Sequence, residues 1–181
     1  MKTYILGVNA YHGDSAACII NEDGLIAAVE EERFNRVKHW AGFPEESIKY
    51  CLEEAGITLN DLAVVAINTN PRANFLKKVV YALKNVPSPS LVIRRLLNGK
   101  QRLGTIDNLH NIFPDQKFSG ELKAINHHLC HLASAHLVSP FESSTVVSVD
   151  GFGDFASGGY GEGRGSNIAI KKNILFPHSL G

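Results

Sequence analysis

The alternation of strand-like and helix-like segments predicts an α/β protein. Short continuous apolar runs such as Leu62 to Ile67 suit strands covered on both faces. Hydrophobic residues at 44% and charged residues at 20% match an ordinary globular chain, which excludes global disorder. At 181 residues the chain is long enough to bury a core without disulfide staples.

Three strands are expected first, Thr3 to Asn9, Ser15 to Asn21 and Leu25 to Glu30, with Glu22, Asp23 and Gly24 turning the chain between the last two. Pro44 suits the first turn of a helix, where its missing N–H goes unused, and Gly56 suits the cap. Ile48, Cys51, Leu52 and Ala55 give that helix its apolar face. After strand Leu62 to Ile67, residues 71–113 read as helical, broken where Pro87 and Pro89 flank Ser88. A strand at Leu122 to Ile125, a helix from His127 to Val138 and a buried strand Thr145 to Val149, ending at Asp150, come next. The Gly-rich passage GFGDFASGGYGEGRG receives no strand or helix, and Asn167 to Ile170 and Asn173 to Phe176 read as strands. No internal repeat is visible.

The apolar runs fall far short of the ~20 residues that span a bilayer, and the N-terminus lacks signal-peptide character, so a cytoplasmic location is expected. Cys18, Cys51 and Cys130 are odd in number and share no CxxC spacing, which favours buried thiols over disulfides or a zinc knuckle. Equal numbers of acidic and basic residues hide an asymmetry. Residues 22–61 hold ten acidic and four basic side chains, whereas residues 62–106 hold eight basic and none acidic. The basic stretch from Arg72 to Arg102 suits phosphates, an acidic partner or simply solvated helix faces.

His127 and His131 lie four positions apart, which on a helix puts both imidazoles on one face, one turn apart. Such spacing serves metal ligands, but also core or surface histidines. Residue 128 is His where a zinc-protease helix needs Glu, so a hydrolytic HExxH reading fails. Asp150, followed by Gly151 and Gly153, either forms a turn or adds a carboxylate ligand where glycine lets a phosphate approach the backbone. Two imidazoles and one carboxylate would make a divalent site with open positions. The loop Asn9 to Ser15 gathers Asn9, His12, Asp14 and Ser15; His12 could act as a general base because imidazole titrates near neutrality. Arg33, Arg36, Lys38 and His39 suit phosphate or, equally, paired surface charges.

Four stretches, ILGVNAYHGDSAACII, AAVEEERFNRVKHWAGFP, NHHLCHLASAH and VVSVDGFGDFASG, together resemble the nodulation and antibiotic O-carbamoyltransferase family. They run in the family's order from residue 5 to residue 157. The resemblance implies an actin-like ATPase (ribonuclease H-like) fold, a mixed sheet with flanking helices, of which residues 1–181 would be the first half of the N-terminal domain. The nucleotide-binding second half and a C-terminal adenylate-forming domain would lie outside it. The implied reaction makes carbamoyl-adenylate from ATP and carbamoyl phosphate and passes the carbamoyl group to a hydroxyl of a sugar-like or antibiotic acceptor.

By the same resemblance His127, His131 and Asp150 would bind a divalent metal, iron in the family. The resemblance also makes His12 the catalytic candidate and matches Lys38 to a basic position for phosphate or carbamoyl oxygens, while the residues themselves suggest Asn9, Asp14, Ser15, His39, Gly151 and Gly153 as contacts to substrate or nucleotide. The implied partners are the acceptor, carbamoyl phosphate and the C-terminal domain, with a homodimer open and neither membrane nor nucleic acid expected. The competing readings are a kinase or ATPase of the same fold and a non-catalytic binding fragment.

Overall fold

The computed structural model describes residues 2–70, 73–85 and 104–179. They form two compact units, one drawn from residues 2–68 and 104–124, the other from 69–85 and 125–179.

In the first unit β1 (Tyr4–Asn9), β2 (Ala16–Asn21) and β3 (Gly24–Glu30) form an antiparallel meander. β4 (Leu62–Ile67) and β5 (Glu121–Ala124) then join parallel to β1, giving a mixed sheet in the order β3-β2-β1-β4-β5. Alternation along the strands turns Leu6, Val8, Ala17, Ile19 and Ala27 inward. The helix Glu45–Ala55 adds Ile48, Cys51 and Leu52 to the same core, and Leu59, Val65, Leu109 and Phe118 complete it. Pro44 stands one residue before that helix, and Gly56, at φ 63°, caps it as expected.

A buried carboxylate fixes this helix. Glu31 accepts hydrogen bonds from the Glu46 and Ser47 N–H groups (3.1 and 2.8 Å) and the Ser47 hydroxyl (2.7 Å), satisfying donors that a helix start leaves unpaired. Its own N–H donates to the Ser15 carbonyl at 2.9 Å, so one residue joins helix, β3 and the β1–β2 loop.

In the second unit β6 (Ser143–Gly153), β7 (Ala156–Arg164) and β8 (Asn167–Leu175) form an antiparallel sheet on which the helix His127–His136 packs. The helix Phe75–Asn85 belongs to the same unit, and its Tyr81 meets Phe155 and Phe176 edge-on at 5.8 and 5.0 Å. Both units thus open their sheets with a three-strand meander that the sequence does not repeat in letters.

Several sequence expectations need correction. The Gly-rich passage is a strand pair, because glycine leaves room where neighbours crowd: a Cβ at Gly161 would collide with the Ala169 carbonyl of β8. β8 is one strand with a register shift instead of two. β6 does not stop at Asp150 but runs three residues further, and its faces alternate between buried and exposed. The histidine helix ends at His136, two residues early, and a one-turn helix at Glu32–Asn35 was not foreseen. The Pro87–Pro89 break and most of the basic stretch lie outside the described residues. No helix among the described residues is long and apolar enough to cross a membrane.

Candidate metal centre

Asn126 starts the histidine helix by accepting the Leu129 N–H on its side chain at 3.1 Å. From there the four-residue spacing brings His127 and His131 to one face, as expected, with Nε2 atoms 3.0 Å apart. Asp150 reaches them from β6, its Oδ2 2.8 Å from His127 Nε2 and 3.6 Å from His131 Nε2. The three donors lie within 4.8 Å of one another.

A bulge in β6 makes this possible. Val149 pairs with Gly158 and Gly153 with Ala156, so residues 150–152 stand against Ser157 alone. In a regular strand, residues three apart face opposite ways. Across this irregular stretch the alternation is broken, and Asp150 and Gly153 both turn toward the helix. Gly153 supplies space, since a Cβ there would overlap the His127 ring.

The electrostatics favour ligands over acids. Burial and the neighbouring His127 hold the His131 imidazole below the usual histidine value of 6.5, against the opposing pull of Asp150, so a lone pair is available near neutrality. Burial works to raise the Asp150 carboxyl, but hydrogen bonds with His127 and the Gly151 N–H outweigh it and hold the group ionised, below its ordinary range. His127 Nε2 thus stands within hydrogen-bond reach of both Asp150 Oδ2 and His131 Nε2. A divalent cation would engage all three atoms. Donors ~2.1 Å from an ion stand ~3 Å apart when they share one face of its coordination sphere, which the observed separations fit.

The other two buried histidines of this helix are structural in their contacts. His136 bonds through Nδ1 to Ser144 Oγ at 2.8 Å and through Nε2 to the Gly165 carbonyl at 3.0 Å, its ring seated where Gly163 has no Cβ. His128 bonds through Nδ1 to Ser148 Oγ at 3.0 Å. The cysteines are free thiols: burial pushes Cys51 up to about 12 and Cys130 up to about 11. Cys51 is buried as expected, whereas Cys18 and Cys130 are partly exposed.

The remaining expected site residues fall in the first unit or at the end of β6. Asn9 closes β1 and donates from Nδ2 to the Asp14 carbonyl at 2.8 Å, while its Oδ1 accepts from Asn68 at 2.9 Å. Ser15 is buried and its hydroxyl donates to the Gly42 carbonyl at 2.8 Å and toward the His12 carbonyl at 3.2 Å. That brings the half-buried His12 loop together with residues 40–42. Asp14 meets His39 Nδ1 at 2.8 Å, both well exposed, and Lys38 is exposed beside them. Gly151 is exposed and its N–H donates to Asp150 Oδ1 at 2.6 Å. Sequence reasoning missed Asp154, whose carboxylate accepts the His127 N–H at 2.9 Å. Its place after the Gly151–Gly153 stretch was the one available signal.

The family model for the carbamoyltransferase N-terminus matches residues 4–181. The chain belongs to the carbamoyltransferase N-terminus family. Within that family's reach, it is 36% identical over 176 residues to nodulation protein NolNO of Sinorhizobium fredii, covering 94% of this chain and 24% of the relative. It is 34% identical over 192 residues to the uncharacterized protein sll1178 of Synechocystis, covering 99% of this chain and 30% of that protein. The carbamoyltransferase N-terminus chain thus spans about a quarter to a third of the length of these relatives. YeaZ from Pseudomonas aeruginosa shares its fold, with a TM-score of 0.53 at 12% identity over 97% of this chain and 68% of YeaZ. With the strand order above, this makes the fold actin-like, of the ribonuclease H-like type.

Proposed function

We propose that this carbamoyltransferase-family chain is part of an O-carbamoyltransferase that holds a divalent cation, iron in our reading, on His127, His131 and Asp150. The single observation that carries the proposal is the meeting of those three donors in a chain of that family. The donor set fits: neutral imidazoles and an ionised carboxylate suit iron, manganese or zinc. When bound, the cation supplies Lewis-acid polarisation of phosphate or carbonyl oxygens.

The substrates we assign are carbamoyl-adenylate, made from ATP and carbamoyl phosphate by a further domain of the longer protein, and a hydroxyl-bearing acceptor. In the first unit we assign His12 to take the acceptor's hydroxyl proton as the new C–O bond forms and AMP leaves. The hydrogen bond from Ser15 to the His12 carbonyl supports this role by fixing the loop backbone. In the first unit Asn9, Asp14, Ser15, Lys38 and His39 are assigned to substrate; in the second, Gly151 would leave room for a phosphate beside Asp150, whereas the space at Gly153 is taken by the His127 ring.

Elemental analysis of anaerobically prepared full-length protein, beside its His127→Ala and His131→Ala variants, tests the ligand set. Stoichiometric metal in the parent and a sharp loss in both variants are expected; equal metal in all three would overturn it. For the base, His12→Asn should cut carbamoyl transfer by ~10²–10⁴-fold with metal retained. Near-normal turnover would exclude that role.

A further inference from the structure

We propose that Asp154, which is not one of the ligands assigned above, is a positioning residue that sets His127 for the cation. The inference rests on the metal reading just given. Asp154 and Phe155 are the two central residues of the β6–β7 turn, closed by the Gly153–Ala156 pair, and both have positive φ, 52° and 69°. That is the backbone of a type I′ hairpin, in which Asp is tolerated at left-handed positions but Asn and Gly are at least as suitable. Turn geometry alone therefore does not select Asp.

The side chain has more specific contacts. Asp154 Oδ2 accepts the N–H of His127, the first residue of the helix, at 2.9 Å. The Asn70 N–H lies 3.1 and 3.0 Å from its two oxygens, and Asn74 Nδ2 donates to its carbonyl at 3.1 Å. Neither of the N–H groups on the carboxylate belongs to a ligand atom, yet one belongs to a ligand residue. His127 is thereby gripped three times by one hairpin end: Asp154 holds its backbone, Gly153 makes room for its ring, and Asp150 faces its Nε2. An imidazole turns about its own Cα, so fixing the backbone N–H restricts where Nε2 can go. A carboxylate is also the favourable charge beside a helix start. Outer contacts of this kind typically change metal affinity 10–100-fold when removed.

The test uses the full-length protein with cobalt(II) as probe, measuring affinity by chelator competition and the visible ligand-field bands of the bound ion. Asp154→Gly keeps the positive φ unstrained and deletes the carboxylate; an affinity loss of ~10–100-fold with altered bands is expected. Asp154→Asn keeps one oxygen for the His127 N–H and should remain close to the parent. Asn126→Ala removes the other cap of the same helix, on the Leu129 N–H, and should lower the melting temperature while leaving the bands unchanged. Should the glycine variant not fold, Asp154→Ser, whose hydroxyl is too short to span both N–H groups, replaces it.

Parent-like affinity and bands in the carboxylate-deleted variant would overturn the proposal while the ligand set stood. Equal affinity losses in the Asp154 and Asn126 variants would overturn it too, by reducing the effect to helix fraying. A parent protein that binds no cobalt, or binds it equally with His127 and His131 replaced, would overturn both readings together.

Discussion

Gly153 and the imidazole of His127 claim the same volume: the ring lies where any side chain at residue 153 would begin. Replacing this glycine by alanine must displace either the ring or the strand. Gly153→Ala should therefore weaken metal binding by at least about tenfold, comparable to losing an outer contact of a ligand. Overpacking should add about 1–3 kcal/mol of destabilisation. Calorimetric titration with cobalt(II) and a thermal melt of the same samples read the two effects. Unchanged affinity would mean that the ring tolerates another position.

In the first unit, Glu31 is 4% exposed and its carboxylate is shared by three donors at the start of the helix Glu45–Ala55. Glu31→Ala leaves the two Ser47 donors buried without an acceptor, which costs about 1–3 kcal/mol for each group left unpaired. Urea denaturation should show a drop of at least about 2 kcal/mol, with a smaller one for Glu31→Gln. Metal content should not change in either variant. A midpoint equal to the parent's would show that water replaces the carboxylate.

Acid should loosen the metal-free protein. His131 is held below 6.5, so as the pH falls through that value the unfolded chain takes up protons that the folded chain refuses, and stability declines until the folded value is passed. Asp150, also held low, keeps its contribution above its ordinary value of 3.8 and loses it only below that, in a separate and more acidic window. With chelator present, urea midpoints from pH 8 to pH 5 should fall in the parent and fall less in His131→Gln. Parallel slopes for the two proteins would remove His131 as the source.

The first unit was largely legible because its strands alternate or run apolar and its turns carry Gly56 and Gly24 where positive φ is needed. The glycine-rich half was not. Glycine ranks low for strands, yet β7 is built of it because the Ser148 and Ala169 carbonyls and the His136 ring press against it from several sides. Those neighbours sit on the two flanking strands and on the helix His127–His136, which local spacing does not reveal. In the candidate site, the four-residue interval was enough to put His127 and His131 on one face, while Asp150 was expected at the end of a strand that in fact continues beyond it. His128 and His136 share the helix but turn to the Ser148 and Ser144 hydroxyls, which stand earlier on the same strand β6 that carries Asp150.

The bulge at residues 150–152 gives related chains a testable spelling rule. An aspartate and a glycine can share one side of a strand at a separation of three only if the intervening pair is kept at two, so a single insertion or deletion there would send the glycine away and put a side chain's bulk against the imidazole. Homologues that chelate a cation this way should vary freely in loop length elsewhere while preserving Asp-x-x-Gly to the letter.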